Sequence, residues 1–173
     1  SLLMGQGQRE LAAQQKANEY QVKAAYLYNF GKFVTWPAGS MEAGFQICIL
    51  GQDPFGAALD ATVAGDNING KPIVVRRIAA AREARGCDIL FISASEEARV
   101  GEIMAALAGL HELTVSDMPH FVEHGGEIQF VLEGDKVRFE VNLQAAQQAG
   151  LTMSSQLLKV ALTVKRSADG GTR

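Results

Sequence analysis

The chain lacks any long apolar run. Its longest, Ile89 to Ile92 and Ile128 to Leu132 broken by Gln129, fall far short of the roughly 20 residues a helix needs to cross a bilayer, so the chain is not itself membrane-spanning. It also lacks a basic excess. Sixteen Lys and Arg against nineteen Asp and Glu leave a net charge of −3, and no basic patch carries interleaved aromatics, which argues against nucleic acid as a partner. Cysteine is scarce: Cys48 and Cys87 are the minimum for one disulfide. Pairing them would close a loop of about 40 residues and stabilise the fold by roughly 3 to 4 kcal/mol on the chain-entropy model; two inert buried thiols are the alternative. No staple is required, because 173 residues at 47% hydrophobic and 20% charged can bury roughly 70% of the unfolded surface in one core. The opening Ser-Leu-Leu-Met-Gly and the polar, Gln-rich stretch from Gln6 to Asn18 show no basic segment leading into an apolar run and cleavage site. No signal peptide is therefore read in the sequence, which leaves export open.

Catalytic signatures are equally sparse. The Gly51-Gln-Asp-Pro-Phe-Gly56 loop follows an apolar strand, where a doubly wound fold would bind phosphate, but it has neither the G-x-G-x-x-G spacing nor a Gly-Lys-Ser/Thr ending. An ordinary strand-to-helix turn is the simpler reading. His120-Phe-Val-Glu123-His124 matches the H-x-x-E-H pattern of inverted zinc peptidases, in which two histidines one helical turn apart hold zinc and the glutamate acts as general base. Gly125-Gly126 ends any such helix at once, and Glu127, Glu133 and Glu140 fall in strands, so no downstream helical ligand completes the set. Ser116 and Asp117 near His120 have hydrolase residue types in a loop where they make turns by default, without a G-x-S-x-G elbow. Cys48 sits in an expected strand with no histidine nearby in sequence. The residues supply no persuasive catalytic set.

What is present is an aromatic concentration. Tyr20, Tyr26, Tyr28, Phe30, Phe33 and Trp36, half of the aromatic residues, lie in seventeen positions that stop at Pro37. Val22, Ala25, Tyr26, Asn29, Phe30 and Phe33 recur at helical spacing, and Ala24, Leu27, Tyr28, Gly31 and Val34 form a second stripe opposite. Only Lys23 and Lys32 interrupt the apolar circumference. Such a helix must be covered on both sides, by its own domain on one and by another chain or a second layer on the other. A helix simply sandwiched within the monomer is the plain alternative.

Beyond Pro37 the pattern alternates. Phe45 to Leu50, Ile73 to Arg76, Asp88 to Ile92 and Leu113 to Ser116 read as strands; Phe55 to Val63, Ala79 to Ala84 and Ser95 to Leu107 read as helices, with Ser95 as an N-cap and Gly70-Lys-Pro72 as a turn. Alternating strands and helices imply a parallel sheet of βαβ units. After Gly126 the period changes: Ile128 to Leu132 and Val137 to Asn142 alternate around Glu133-Gly-Asp-Lys136, the mark of a β-hairpin. Helices over Leu143 to Ala149, stopping at Gly150, and from the Ser154 cap through Val164 follow, with a frayed tail over 165–173. The expected fold is α/β: a Rossmann-like three-layer sandwich, mostly parallel, with a C-terminal antiparallel hairpin. Residues 1–18 are expected to form a polar N-terminal extension and 19–164 a single domain.

The run Tyr20-Gln-Val-Lys-Ala-Ala-Tyr-Leu-Tyr-Asn-Phe-Gly-Lys-Phe-Val-Thr-Trp-Pro37 resembles the opening signature of the YfiR family of exported bacterial proteins. Gly51 to Gly56, Cys87 to Glu96, Leu113 to Asp117, Gly125 to Phe130, Arg138 to Asn142 and Ala149 to Ser155 resemble further family segments in family order, so the likeness spans residues 20 to 162. The resemblance implies a periplasmic regulator, typically a homodimer, that catalyses nothing. It would bind the periplasmic sensor region of an inner-membrane diguanylate cyclase and hold it inactive, lowering cyclic di-GMP and biofilm formation until envelope or redox stress relieves it. It further implies a disulfide between Cys48 and Cys87, at positions resembling a family cysteine pair. Some relatives carry a second pair that this chain lacks, and His120 and His124 stand where the family often has other residues. Partner or dimer contacts are expected from Tyr26, Tyr28, Phe33 and Trp36 of the aromatic helix and from Arg138, Glu140 and Asn142 of the last hairpin strand. Exposed cross-strand ion pairing for Arg138 and Glu140 and a helix cap for Asn142 are the plainer roles for the hairpin residues. A small-molecule sensor with a pocket near 51–56 and Asp117, and more remotely a zinc metallopeptidase using His120, Glu123 and His124, are the other classes in view; no resident cofactor is expected.

Overall fold

A computed structural model describes residues 2–38 and 44–166. A helix α1 (Leu2–Phe33) leads into the two-residue strand β1 (Val34–Thr35), and β2 (Phe45–Leu50) begins the main sheet. Helix α2 (Ala57–Val63), the hairpin β3 (Asn67–Ile68) and β4 (Lys71–Ile78), and β5 (Ile89–Ile92) follow. Then come α3 (Val100–Ala106), β6 (Leu113–Ser116), the hairpin β7 (Ile128–Glu133) and β8 (Lys136–Asn142), α4 (Leu143–Gln148), β9 (Thr152–Met153), α5 (Ser155–Val160) and β10 (Thr163–Lys165). The eight-stranded sheet has the order β10-β8-β7-β6-β5-β2-β4-β3. Pairing is antiparallel in the hairpins β7–β8 and β3–β4 and parallel elsewhere in it. Strand β1 pairs with β9 in a separate two-stranded sheet, tying the end of α1 to the C-terminal segment.

The continuous apolar runs of β2 and β5 reflect burial on both faces, as helix-covered parallel strands require. Period-two alternation sorts them. Ile47, Ile49, Ile89, Phe91, Leu113 and Val115 join the core that includes Leu27 and Phe30 of α1 and Leu59 of α2. Cys48, Leu50, Leu90 and Ile92 face the other way, onto Val100, Ile103 and Leu107 from α3 and its end. Three layers result, as the alternating pattern implies.

Several elements differ from the sequence expectation, each for a local reason. The polar segment 6–18 is helical, since α1 runs from Leu2: Gln, Glu, Ala and Lys are good helix formers and the helix propagates outward from its anchored half. The tight turn is Asn69-Gly70, with φ of 53° and 77°, and Lys71-Pro72 already belongs to β4. Both turn positions are left-handed, which Asn-Gly adopts more cheaply than other pairs. Ala79 to Ala84 forms only a 3₁₀ turn over Ala81–Glu83, closed by the Glu83 carboxylate, which accepts the N–H groups of Ala79 and Ala80 at 2.9 and 2.8 Å. Ser93 rather than Ser95 caps the next helical segment, which is 3₁₀ over Ala94–Arg99 before α3 begins at Val100. The last helix, capped by Ser154 as expected, stops at Val160; Thr163–Lys165 instead pairs with β8, covering an edge that would otherwise be open. Lys165 thus lies in a strand, and the expected tail beyond residue 166 falls outside the described residues.

Candidate interaction surface

Helix α1 is held to the domain along one side. Ala24, Leu27, Phe30 and Gly31 are buried, and a Cβ on Gly31 would stand 2.3 Å from Cδ1 of Ile68, so only glycine lets this helix approach so closely. Tyr26 and Phe30 pack with Phe130 and Phe139 of the hairpin, ring centroids 5.2 to 5.9 Å apart. Lys23, expected to break the apolar surface, is buried: its ammonium bonds Asp117 at 2.8 Å, pairs with Glu19 and lies 4.4 Å from the Tyr20 ring centroid. The Tyr20 hydroxyl donates to the same Asp117 oxygen at 2.6 Å. Burial, then the Asp117 carboxylate, raises the pKa of that hydroxyl far above the ordinary phenol value.

The other side of α1 is bare. Val22 is 45% and Phe33 36% exposed, with Ala25 and Asn29 exposed between them at helical spacing. Beside this stripe a groove of about 730 Å³ separates α1 from the β7–β8 hairpin, lined by Gln15, Glu19, Val22 and Tyr26 on one wall and Leu132 and Arg138 on the other. Leu132 is 53% exposed. Of the two stripes read in the sequence, the Ala24–Leu27–Gly31 one enters the core, while the other splits: Phe30 goes in, and Val22, Ala25, Asn29 and Phe33 stay out.

The expected contact residues divide accordingly. Phe33 is exposed, Tyr26 and Tyr28 are half-buried, and the Lys32 ammonium lies 4.2 Å from the Tyr28 ring centroid. Trp36 is interior, its Nε1 donating to the Asp88 carbonyl at 3.1 Å. Asn142 is interior too: it accepts the Ala145 N–H at 3.0 Å, capping α4, and donates to the Val122 carbonyl at 3.0 Å. Arg138 and Glu140 are half-buried, and Arg138 makes a cross-strand ion pair with Glu133 of the hairpin partner strand at 3.3 Å. Strand β8 is no edge, since β10 lies beside it.

The loop 51–56 is already occupied by the protein itself. Its N–H groups at Gly51, Gln52 and Phe55 donate to Ile78 O, Ser95 Oγ and Asp53 Oδ1, and Arg77 forks between Asp53 and Asp60 at 3.1 and 2.6 Å. Spent donors and two carboxylates make a poor phosphate cradle. The helix demanded by the H-x-x-E-H reading is missing: residues 119–125 form turns, His120 has φ of 62°, and its ring contacts Glu123 at 3.0 Å in an exposed pair. His120 and Gly125, both at positive φ, bound the segment at either end, so no helix face forms between them. Among the described residues, no three His, Cys, Asp or Glu are placed to hold a metal ion. Cys48 and Cys87 form a disulfide, buried between β2 and the approach to β5.

The sequence reading passes over a set of buried acids. Asp88, Glu112 and Glu127 each immediately precede a parallel strand, and alternation turns them to the α3 face along with Thr114 and Gln129. Burial raises Asp88 to about 6 and Glu112 and Glu127 to about 8. A visible signal was the polar alternation Glu112, Thr114, Ser116 and Glu127, Gln129 within otherwise apolar strands.

Solved structures share this fold, two of them as follows. One is a conserved domain protein from Vibrio cholerae O1 biovar El Tor strain N16961, with TM-score 0.53 and 12% identity. The other is an ABC domain from Streptococcus pneumonia in complex with L-Trp, with TM-score 0.51 and 13% identity. Each alignment covers 70% of this chain and 55% of the other, so the chain spans about half the length of the structures it matches. At such identities the likeness concerns the fold alone. The family model described as YfiR/HmsC-like matches residues 20–162, from Tyr20 on the aromatic helix to the segment before β10, and the chain belongs to that family.

Proposed function

We propose that the chain is a periplasmic regulator, not an enzyme, that binds the periplasmic sensor region of an inner-membrane diguanylate cyclase and restrains it, lowering cyclic di-GMP and biofilm formation. Family membership supports a regulatory role in that pathway. The observation that carries the binding mode is the bare apolar stripe of Val22 and Phe33 on the half of α1 whose opposite side enters the core, beside an open groove. Large side chains exposed in a row, rimmed by Lys32, Glu19 and Arg138, suit a protein partner. Tyr26, Tyr28, Phe33, Arg138 and Glu140 are the proposed contacts. The inward orientation of Trp36 and Asn142 favours supporting roles for them. The chain is further proposed to act as a homodimer. The buried position of both cysteines favours a staple over a redox trigger for the Cys48–Cys87 disulfide.

The test is binding of the full chain to the periplasmic region of the cyclase encoded beside it, with and without reductant, for wild type and for Phe33→Asp and Val22→Asp. Both positions are only partly covered, so the substitutions should lower the melting temperature modestly while weakening binding about tenfold or more, as truncation of an interface anchor does. Unchanged binding by both variants would remove α1 from the interface. Complete absence of binding by the wild type would overturn the cyclase reading itself.

A further inference from the structure

On the α3 face a pocket of about 440 Å³ opens between the end of α3 and α4. Met104, Leu107 and Leu110 line one wall, Ala145 and Ala149 the other, and Glu112 and Glu127 contribute carboxylates. Strand register explains the convergence. Ile89 lies beside Leu113 and Val115 beside Ile128, so Glu112 follows Asp88 across one ladder and Thr114 meets Glu127 across the next. Thr114 and Glu127 satisfy each other: the Thr114 N–H donates to Glu127 Oε2 at 2.6 Å, and the Glu127 N–H to Thr114 Oγ1 at 3.1 Å. Glu112 has no such partner. It is 5% exposed, and neither of its carboxyl oxygens has a hydrogen-bond partner. A buried carboxyl group left this way is costly, and native folds keep few of them without a reason.

We propose that this pocket binds a small primary amine, its ammonium head paired with Glu112 and bonded to Glu127, its hydrocarbon body against Met104, Leu107 and Leu110. The unmet capacity of the Glu112 side chain, once ionised, is acceptor-only, and an alkylammonium brings donors only. A metal ion fits poorly, because hard cations want six or more oxygen ligands and no three ligating side chains converge among the described residues. A neutral apolar ligand would leave the two Glu112 oxygens as orphaned as before. Apolar walls with a few convergent polar groups are the usual make-up of a small-molecule site. A rotation of the Glu112 side chain toward the cavity admits the head group. The pocket lies at the strand ends opposite the Gly51–Gly56 loop and uses neither α1 nor the hairpin, so it stands apart from the cyclase reading.

The test is calorimetric titration of the full chain with n-hexylammonium chloride, 1-hexanol and calcium chloride. Hexylammonium should bind at one site, about tenfold or more tightly than hexanol, as expected for a charge-assisted hydrogen bond over a neutral contact. Glu112→Gln should remove that advantage, while Glu123→Gln, an exposed acid outside the pocket, should keep it. Ala108→Phe leaves both carboxylates in place and fills the pocket mouth, so it should abolish binding whether or not Glu112→Gln folds well. Equal affinity for hexanol, saturable binding of calcium in place of the amine, no binding of the amine, or an unchanged affinity in Glu112→Gln would each overturn the proposal.

Discussion

Glu112 should make the protein less stable as pH rises, and replacing it with glutamine should remove its share of that trend. Burial, and next the Asp88 carboxylate, raise Glu112 from an ordinary 4.5 to about 8. The native state therefore holds a proton that the unfolded chain releases at 4.5. The stability this contributes is fully present below pH 4.5 and is lost as pH rises through 8. The slope is about 1.4 kcal/mol for each pH unit in that window, so the loss is about 3 kcal/mol at pH 7. Glu112→Gln removes the titration but leaves a buried amide with unmet hydrogen bonds, a pH-independent cost of about 1 to 3 kcal/mol. The variant should thus equal or trail the wild type at pH 5 and exceed it at pH 8. Urea unfolding at half-unit steps from pH 5 to 8 would read this directly. Asp88 and Glu127 titrate in the same interval and His124 lines the same pocket, so the quantity of interest is the difference between the two proteins at each pH. A constant difference across the range would refute the reasoning, because it would mean that Glu112 ionises in the folded protein as it does in water.

Other outcomes follow from the same structure. Removing the disulfide as Cys48→Ala with Cys87→Ala should cost about 4 kcal/mol for a sequence separation of 39 residues, measured by denaturant unfolding, while the native-state circular dichroism stays unchanged. Lys23→Met leaves Asp117 without its buried cation and should cost about 3 kcal/mol; adding Asp117→Leu should recover part of that loss in a double-mutant cycle. Gly31→Leu should separate α1 from Ile68 and Phe45 and lower the melting temperature, whereas Gly7→Ala, with nothing near its Cβ position, should not. Reversing charge with Glu140→Arg should relieve cyclase restraint in cells at unchanged melting temperature; a parallel loss of fold and restraint would assign Glu140 to the hairpin alone.

Much of the architecture was legible because it is written in local patterns. The runs Phe45 to Leu50 and Ile89 to Ile92, short, apolar and bounded by turn residues, read as doubly buried strands, and Ile128 to Asn142 alternates around a turn sequence, so a mostly parallel sheet ending in a hairpin followed from local pattern. Segments of marginal local preference were not legible. Ala79 to Ala84 has helical composition, yet its ends are pinned by β4 and Cys87, leaving room for one 3₁₀ turn. Thr163–Lys165 continues an amphipathic helix on paper and becomes a strand only because β8 presents an edge to it.

The candidate surfaces divide in the same way. The sequence by itself determined that α1 carries apolar residues on all sides, since that depends only on helical spacing. Which of its stripes is bare depends on where the sheet and Ile68 meet it, a matter of contacts between residues dozens of positions apart. It also determined that two cysteines were available to pair, but their separation across neighbouring strands belongs to the tertiary fold. Least visible was the acid pocket. Glu112 and Glu127 look like ordinary surface acids beside strands, and only the parallel register of β5, β6 and β7 brings them together beneath α3, where burial, a long-range effect, changes their chemistry.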